Sequence, residues 1–236
     1  MTKSSEPTAI ADALCCARLG LVPYQAALQL QDDLVTRRRA QQIPDHLLLL
    51  QHPHVITLGT SSSADHVLLD ENERALLGIE LHQTGRGGDV TYHGPGQMVG
   101  YPILDLKPDR CDLHRYVRDL ESALIGALHE LNIDATRKAG LTGVWVGDSK
   151  IAAIGVRVSS GWITSHGFAL NVNTDLAFFD AIVPCGIRNH DVTSIARARR
   201  APLTLEQVEQ SVARHVASVF ARELMFTDAA NITRRT

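Results

Sequence analysis

Apolar positions in this chain follow two periods, and the changes between them outline its elements. Tyr24, Ala27, Leu28, Gln31 and Leu34 share one side of a helix that opens after Pro23 and stops near Arg37, Arg38 and Arg39. Leu47 to Leu58 is continuously apolar except at His52-Pro53-His54, which predicts a buried strand or strand pair. Ile79 to Gln83 alternates as a short strand, and Met98 to Leu106 reads as another. Asp112 is placed to cap a helix whose face carries Leu113, Tyr116, Val117, Leu120, Leu124, Leu128 and Leu131. Short strands follow over Ile133 to Arg137, Gly143 to Val146, Lys150 to Val158 and Thr164 to Asn173, with a tight turn at Gly147-Asp148-Ser149. Thr204 and Gln207 form a capping box for a last helix bearing Leu205, Val208, Val212, Val219 and Leu224.

Strands clustered between few helices favour an α+β fold over an alternating parallel one. The 236 residues suffice for one domain with a substantial core. Residues 1–18 read as a mobile extension, 19–226 as the domain and 227–236 as a tail. No run approaches the ~18 apolar residues of a membrane helix. A net charge of −3 and 5% aromatic residues argue against nucleic-acid binding. Cys15, Cys16, Cys111 and Cys185 show no C-x-x-C spacing, so reduced thiols and a cytoplasmic setting are expected.

The chemistry concentrates in three glycine-rich segments. They are R-G-G-D-V-T-Y-H-G-P-G-Q from Arg86 to Gln97, K-I-A-A-I-G from Lys150 to Gly155, and P-C-G-I from Pro184 to Ile187. Glycines let a backbone approach a ligand closely. Cys185, between proline and glycine, is the leading nucleophile, against the plainer reading of a core cysteine. Lys150 stands at the mouth of the apolar run Ile151 to Ile154, against the plainer reading of a surface charge. An ammonium near a thiol favours the thiolate, which suggests acyl transfer through a thioester. His93 or His166 as base to Cys185 is the alternative, a Cys–His hydrolase. The eleven histidines include no H-E-x-x-H, so no metal site is assigned. There is no phosphate loop, and Gly94-x-Gly96-x-x-x-Gly100 misses the dinucleotide fingerprint by one residue. Arg197, Arg199 and Arg200 follow Arg188 as a solvated surface or a docking site for an acidic partner.

Together with G-L-T-G-V-W-V-G, H-G-F-A-L-N-V-N and I-V-P-C-G-I, these segments resemble the lipoyl(octanoyl) transferases over Leu19 to about Asp191. Asp89 stands where glutamine is frequent in that family, and Phe168 where leucine is frequent. The resemblance implies a biotin/lipoate protein ligase-like domain with a mixed sheet. It implies transfer of an octanoyl group from octanoyl-acyl carrier protein, through a Cys185 thioester, to a lysine of lipoyl domains. Acceptors would be 2-oxoacid dehydrogenase complexes and the glycine cleavage H protein, with no cofactor. Lys150 would lower the Cys185 pKa and move protons. Substrate contacts are implied for Arg86, Gly87, Gly88, Asp89, Val90, Thr91, Tyr92 and His93, for Ala153, Ile154 and Gly155, and for Gly167, Phe168 and Ala169. Two other readings stay open: an ATP-dependent lipoate or biotin ligase, and a non-catalytic acyl- or lipoyl-binding module.

Overall fold

The structure, a computed structural model, describes residues 12–183 and 191–233. In chain order the strands are β1 (Ala13–Leu21), β2 (Asp45–Gln51), β3 (Val55–Leu58), β4 (Glu80–Gln83), β5 (Val90–His93) and β6 (Gln97–Ile103). They continue as β7 (Thr136–Lys138), β8 (Leu141–Val146), β9 (Ser149–Val158), β10 (Thr164–Asn171) and β11 (Glu223–Thr227). The helices are α1 (Tyr24–Arg39), α2 (Glu71–Leu76), α3 (Leu113–Glu130), α4 (Ile195–Arg199), α5 (Leu205–Val219) and α6 (Ala229–Thr233).

Eight strands form one sheet in the order β11-β1-β2-β6-β10-β9-β8-β7, and β4-β3-β5 form a second. β1 runs parallel to both β2 and β11, while β2, β6, β10, β9 and β8 pair antiparallel along the sheet. The mixed sheet with helices matches the α+β expectation. α3 and α5 cover one face, burying Leu120, Leu124, Val208 and Val212 against Leu47, Leu49 and Met98. α1 covers part of the other, with Ala27 and Leu34 against Leu48, Leu50 and Val99. Both faces of β2 are therefore dry, which explains its unbroken leucine run.

The apolar stretch after Leu47 is indeed two strands, but they belong to different sheets. Pro53 has no N–H to give a ladder, and the chain leaves the large sheet there. The caps come out as read: Asp112 accepts from the His114 and Arg115 amides, and Thr204 and Gln207 close a capping box.

Four expectations are corrected. Residues 13–18 are not an extension but most of β1, flanked by β2 and β11, with Leu14, Cys16 and Ala17 fully buried. A short strand buried on both faces carries no alternation to read. Leu224 lies beyond the last long helix, in β11, because α5 ends at Val219 and Ala221 turns at φ 53°. The tail is partly ordered: α6 places Ile232, 3% exposed, in the α1-side core. The strand expected from Ile133 begins at Thr136. The capping box of α2, Asp70 with Glu73, is a further start signal that the periodicity had hidden.

Candidate active site

A cavity of about 460 Å³ opens between the large sheet and the segment that leads into β5. Val99 and Tyr101 of β6, Gly167 and Ala169 of β10 and Ala153 of β9 form its sheet side. These are the positions that alternation turns toward α1, whose Tyr24 also lines it.

The opposite wall is the segment from Arg86 to His93. Arg86 is buried and donates from Nη2 to the Thr57 carbonyl (2.7 Å) and to Thr57 Oγ1 (2.9 Å). The Gly87 amide donates to the Val156 carbonyl at 2.9 Å, which fastens the segment to β9. Gly88 sits at φ 89°, a backbone conformation that suits glycine. Asp89 accepts from the Val90 amide (2.7 Å) and from His66 Nδ1 (2.9 Å). Gly155 lines the cavity and also lets this segment lie close to β9. A Cβ there would lie 3.0 Å from the Gly87 carbonyl oxygen and 3.1 Å from Arg86 Cδ. Its missing side chain lets the Arg86–Gly87 backbone rest on β9.

Three histidines lie at or behind the deep end of the cavity, and hydrogen bonds fix the tautomers of two. Gln97 Nε2 donates to the Tyr92 carbonyl and to Asn171 Oδ1, so its Oε1 faces His93 and accepts from Nδ1 at 2.8 Å. His52 donates from Nδ1 to the Val22 carbonyl (2.7 Å) and accepts at Nε2 from the Tyr101 hydroxyl (2.8 Å). Burial lowers His52 to about 4, His93 to about 3 and His166 to about 4, with neighbouring His52 and Arg86 adding to the effect at His93. All three are neutral near pH 7. Burial likewise pushes Tyr24 up to about 12. The histidines thus add no charge to the cavity, and with Val99, Tyr101, Ala153 and Ala169 they leave room for a largely apolar guest beside the charged Arg86. His166 itself holds φ 55°, an unusual backbone for a non-glycine residue, and its amide donates to Gln31 Oε1.

Lys150 reaches the cavity through a register break. Along β9, Ala152 and Val156 pack toward α3 and α5 and Ala153 and Gly155 face the cavity, while Ile154 packs on the core and also borders the cavity. Counted back at period two, Lys150 belongs with the first group. Val144 pairs with Ala152 but Trp145 pairs with Lys150, so β9 carries one extra residue, Ile151. Such a bulge re-aims the side chains on either side of it. Lys150 consequently lines the cavity, with Nζ 5.0 Å from the Trp145 ring centroid. Its amide donates to the Asp191 carbonyl and its carbonyl accepts from the Thr193 amide.

The lipoyl protein ligase A/B catalytic domain family matches residues 23–217. An octanoyltransferase of Solibacter usitatus is 50% identical over 212 residues, covering 89% of this chain and 95% of that protein. An octanoyltransferase of Rubrobacter xylanophilus is 52% identical over 194 residues, covering 82% and 87%. The chain belongs to the octanoyltransferases of this family. In fold, it superposes on an archaeal bipartite lipoate protein ligase of Thermoplasma acidophilum with a TM-score of 0.75. Identity there is 20%, over 94% of this chain and 89% of the other, so the likeness shows the shared fold.

For this octanoyltransferase-family chain, most of the expected contact residues meet at one cavity. Arg86, Gly88, Asp89, Val90, Thr91 and His93 line it. So do Lys150, Ala153, Ile154 and Gly155, and also Gly167, Phe168 and Ala169. Two of the expected residues do not. Gly87 spends its amide on Val156. Tyr92 alternates to the far side of β5, where its ring stacks on Phe178 (5.4 Å, 3°) and its hydroxyl bonds His54 Nδ1. Cys185 lies outside the described residues, as do Arg188 and His190. Among the described residues no group of three His, Cys, Asp or Glu could hold a metal ion, and no helix is long and apolar enough to cross a membrane.

Sequence reading missed Tyr101, Leu141 and Thr142 as wall residues. Tyr24 was legible only as the apolar side of a helix. Phe168 has its own explanation: a Cβ on Gly100 would lie 2.1 Å from the Phe168 ring, so the ring lies over that glycine. Arg199 is not free surface, because its guanidinium donates to the Leu131 carbonyl.

Proposed function

We propose that this chain is an acyltransferase that carries an octanoyl group as a thioester on Cys185 and delivers it to a lipoyl-domain lysine. The donor in this reading is octanoyl-acyl carrier protein, and the acceptors are lipoyl-domain proteins of 2-oxoacid dehydrogenase complexes and the glycine cleavage H protein. The observation that carries it is the cavity with Lys150 on its wall and small and apolar residues on its sheet side, in a chain of the octanoyltransferase family. Both flanks of the segment bearing Cys185 are tied to residues at or next to that cavity. Val183 donates to the carbonyl of His66, the residue that also bonds the wall residue Asp89. Asp191 accepts from Lys150.

The steps balance without a nucleotide. Cys185 sulfur attacks the donor thioester carbonyl, and the tetrahedral intermediate expels the carrier thiolate, which takes a proton from Lys150. The acceptor amine then attacks the enzyme thioester and loses a proton to neutral Lys150 as the Cys185 thiolate departs. An amide and a thiol replace a thioester and an amine. Ala153, Val99 and Ala169 would pack the acyl chain, each buried methylene contributing ~0.8 kcal/mol.

The test is intact-protein mass spectrometry after mixing with octanoyl-acyl carrier protein in the absence of ATP. One octanoyl adduct, located on Cys185 and lost in Cys185→Ala, supports the reading. Transfer that requires ATP, or that survives in Cys185→Ala, overturns it in favour of an adenylating ligase or another nucleophile.

A further inference from the structure

α3 presents a carboxylate where its neighbours present leucine. Glu121 has no exposed surface and lies within a face that buries Leu120 and Leu124. A buried charge is expensive, and a well-packed apolar side chain in its place often stabilises a protein. Two of its bonds do not require burial. Glu121 Oε2 accepts from Arg118 (2.6 Å) and Arg137 (2.8 Å), whose side chains are 48% and 38% exposed. The third bond does: Oε1 accepts from the buried Gly143 amide at 3.0 Å.

Gly143 adjoins the register break that aims Lys150. It holds φ 124°, and a Cβ there would lie 2.6 Å from the Ala152 carbonyl oxygen and 3.4 Å from Lys150 Cε. The Lys150 stem thus runs over the bare α-carbon of Gly143. The same glycine follows the cavity residues Leu141 and Thr142. A buried amide without a ladder partner must find another acceptor. Glu121 supplies it from behind the sheet.

We infer that Glu121 is a positioning residue: through Gly143 it fixes the bulge that turns Lys150 into the cavity. This rests on the reading of Lys150 as the partner of Cys185. Without the clamp, β8 and β9 can return to regular alternation, which points Lys150 toward α3 and α5.

The test is the pH profile of Cys185 alkylation by iodoacetamide, read at the Cys185 peptide of the full chain between about pH 5 and 10. The variants are Lys150→Ala, Glu121→Leu, Glu121→Asp, Glu121→Gln and the double variant Glu121→Leu/Lys150→Ala. Lys150→Ala should move the midpoint upward by about one pH unit. Glu121→Leu should move it the same way by at least about half as much, and add nothing in the Lys150→Ala background. Glu121→Asp keeps the arginine pairs but withdraws from Gly143, so it should follow Glu121→Leu; if Glu121→Leu does not fold, the same cycle is run with it. Glu121→Gln keeps an acceptor for the amide and should lie closest to the unaltered protein. A moved Lys150→Ala profile with unmoved Glu121→Leu and Glu121→Asp profiles overturns the positioning role alone. So does an equal added shift in the double variant. An unmoved Lys150→Ala profile overturns the Lys150–Cys185 reading beneath it.

Discussion

The two walls of the cavity are built on different principles. The wall from Arg86 to His93 is contiguous in sequence and held from several sides: Arg86 on Thr57, Gly87 on Val156, Asp89 on His66. The β8–β9 wall gets its one cationic residue from a register break at Ile151. A motif of glycines and polar residues announces the first kind of wall. The second depends on a pairing between strands, and a one-residue change of register exchanges the faces of a strand. Breaking each wall should therefore give a different defect: lost chemistry at one, lost shape at the other.

The largest effect belongs to the second wall. Lys150→Arg keeps a cation but cannot act as a base at ordinary pH. Octanoyl transfer should fall ~10²–10⁴-fold, the usual contribution of general acid–base catalysis. Alkylation of Cys185 at neutral pH should stay near normal, because the charge remains. Single-turnover transfer from the acylated enzyme measures the first and mass spectrometry the second. Normal transfer by Lys150→Arg would remove the proton-transfer role.

Next is the seam between the walls. Gly155→Val forces a side chain against the Gly87 carbonyl and Arg86, where a Cβ already has only 3.0–3.1 Å. Overpacking of this kind costs ~1–3 kcal/mol. Transfer should drop alike for six-, eight- and ten-carbon donors, with a lower melting temperature. Ala153→Val is the contrast. Its methyl lines the cavity, so it should disfavour longer chains, with ~10–200-fold discrimination per methylene and little loss of stability. A selective Gly155→Val and an unselective Ala153→Val would reverse the assignments.

The sequence carried the long elements because α3 and α5 bury one stripe and expose another, and their caps sit where the helices begin. It carried most of the first wall because glycines and polar residues at that density have few structural uses. β1 escaped notice because both its faces are buried, which erases alternation. The aim of Tyr92 could not be read from its motif, since Tyr92 joins Val90 in a core on one side of β5 while Thr91 and His93 line the cavity. Glu121 looked like one more helix charge. Only the fold shows that its carboxylate ends on Gly143.

The histidine end of the cavity gives a pH signature that the Lys150 wall does not share. His52, His93 and His166 are lowered to about 4, 3 and 4. Once unfolded they titrate near 6.5, so between ~6.5 and ~4 the unfolded chain binds more protons than the folded one. Stability is therefore full above ~6.5 and is lost as pH falls. Each group contributes at most ~1.4 kcal/mol per pH unit, and less where the histidines share one cluster. The melting temperature should decline from pH 6.5 to 5, before most carboxylates titrate. His93→Gln should flatten that slope without removing it, because His52, His166 and His46, which burial also lowers, remain. A flat melting temperature across this interval would mean that the histidines are not held neutral.

The smallest effect concerns the approach to the site rather than its walls. α4 follows directly on the Asp191–Thr193 segment that bonds Lys150. Its Arg197 and the adjoining Arg200 are exposed, whereas Arg199 is tied to Leu131 and is left out of the test. A carrier-protein donor of acidic character would be drawn by the two exposed arginines. Exposed pairs contribute ~0.2–1 kcal/mol each, so reversing both charges should raise KM for the carrier-bound donor by about 2- to 10-fold at low salt. The difference should shrink as salt brings the screening length below ~8 Å, and kcat should stay unchanged. A small octanoyl thioester lacks the acidic surface and should react equally with Arg197→Glu/Arg200→Glu and the unaltered chain. Equal losses with both donors would place the defect at the cavity walls, and the steering role of α4 would fall.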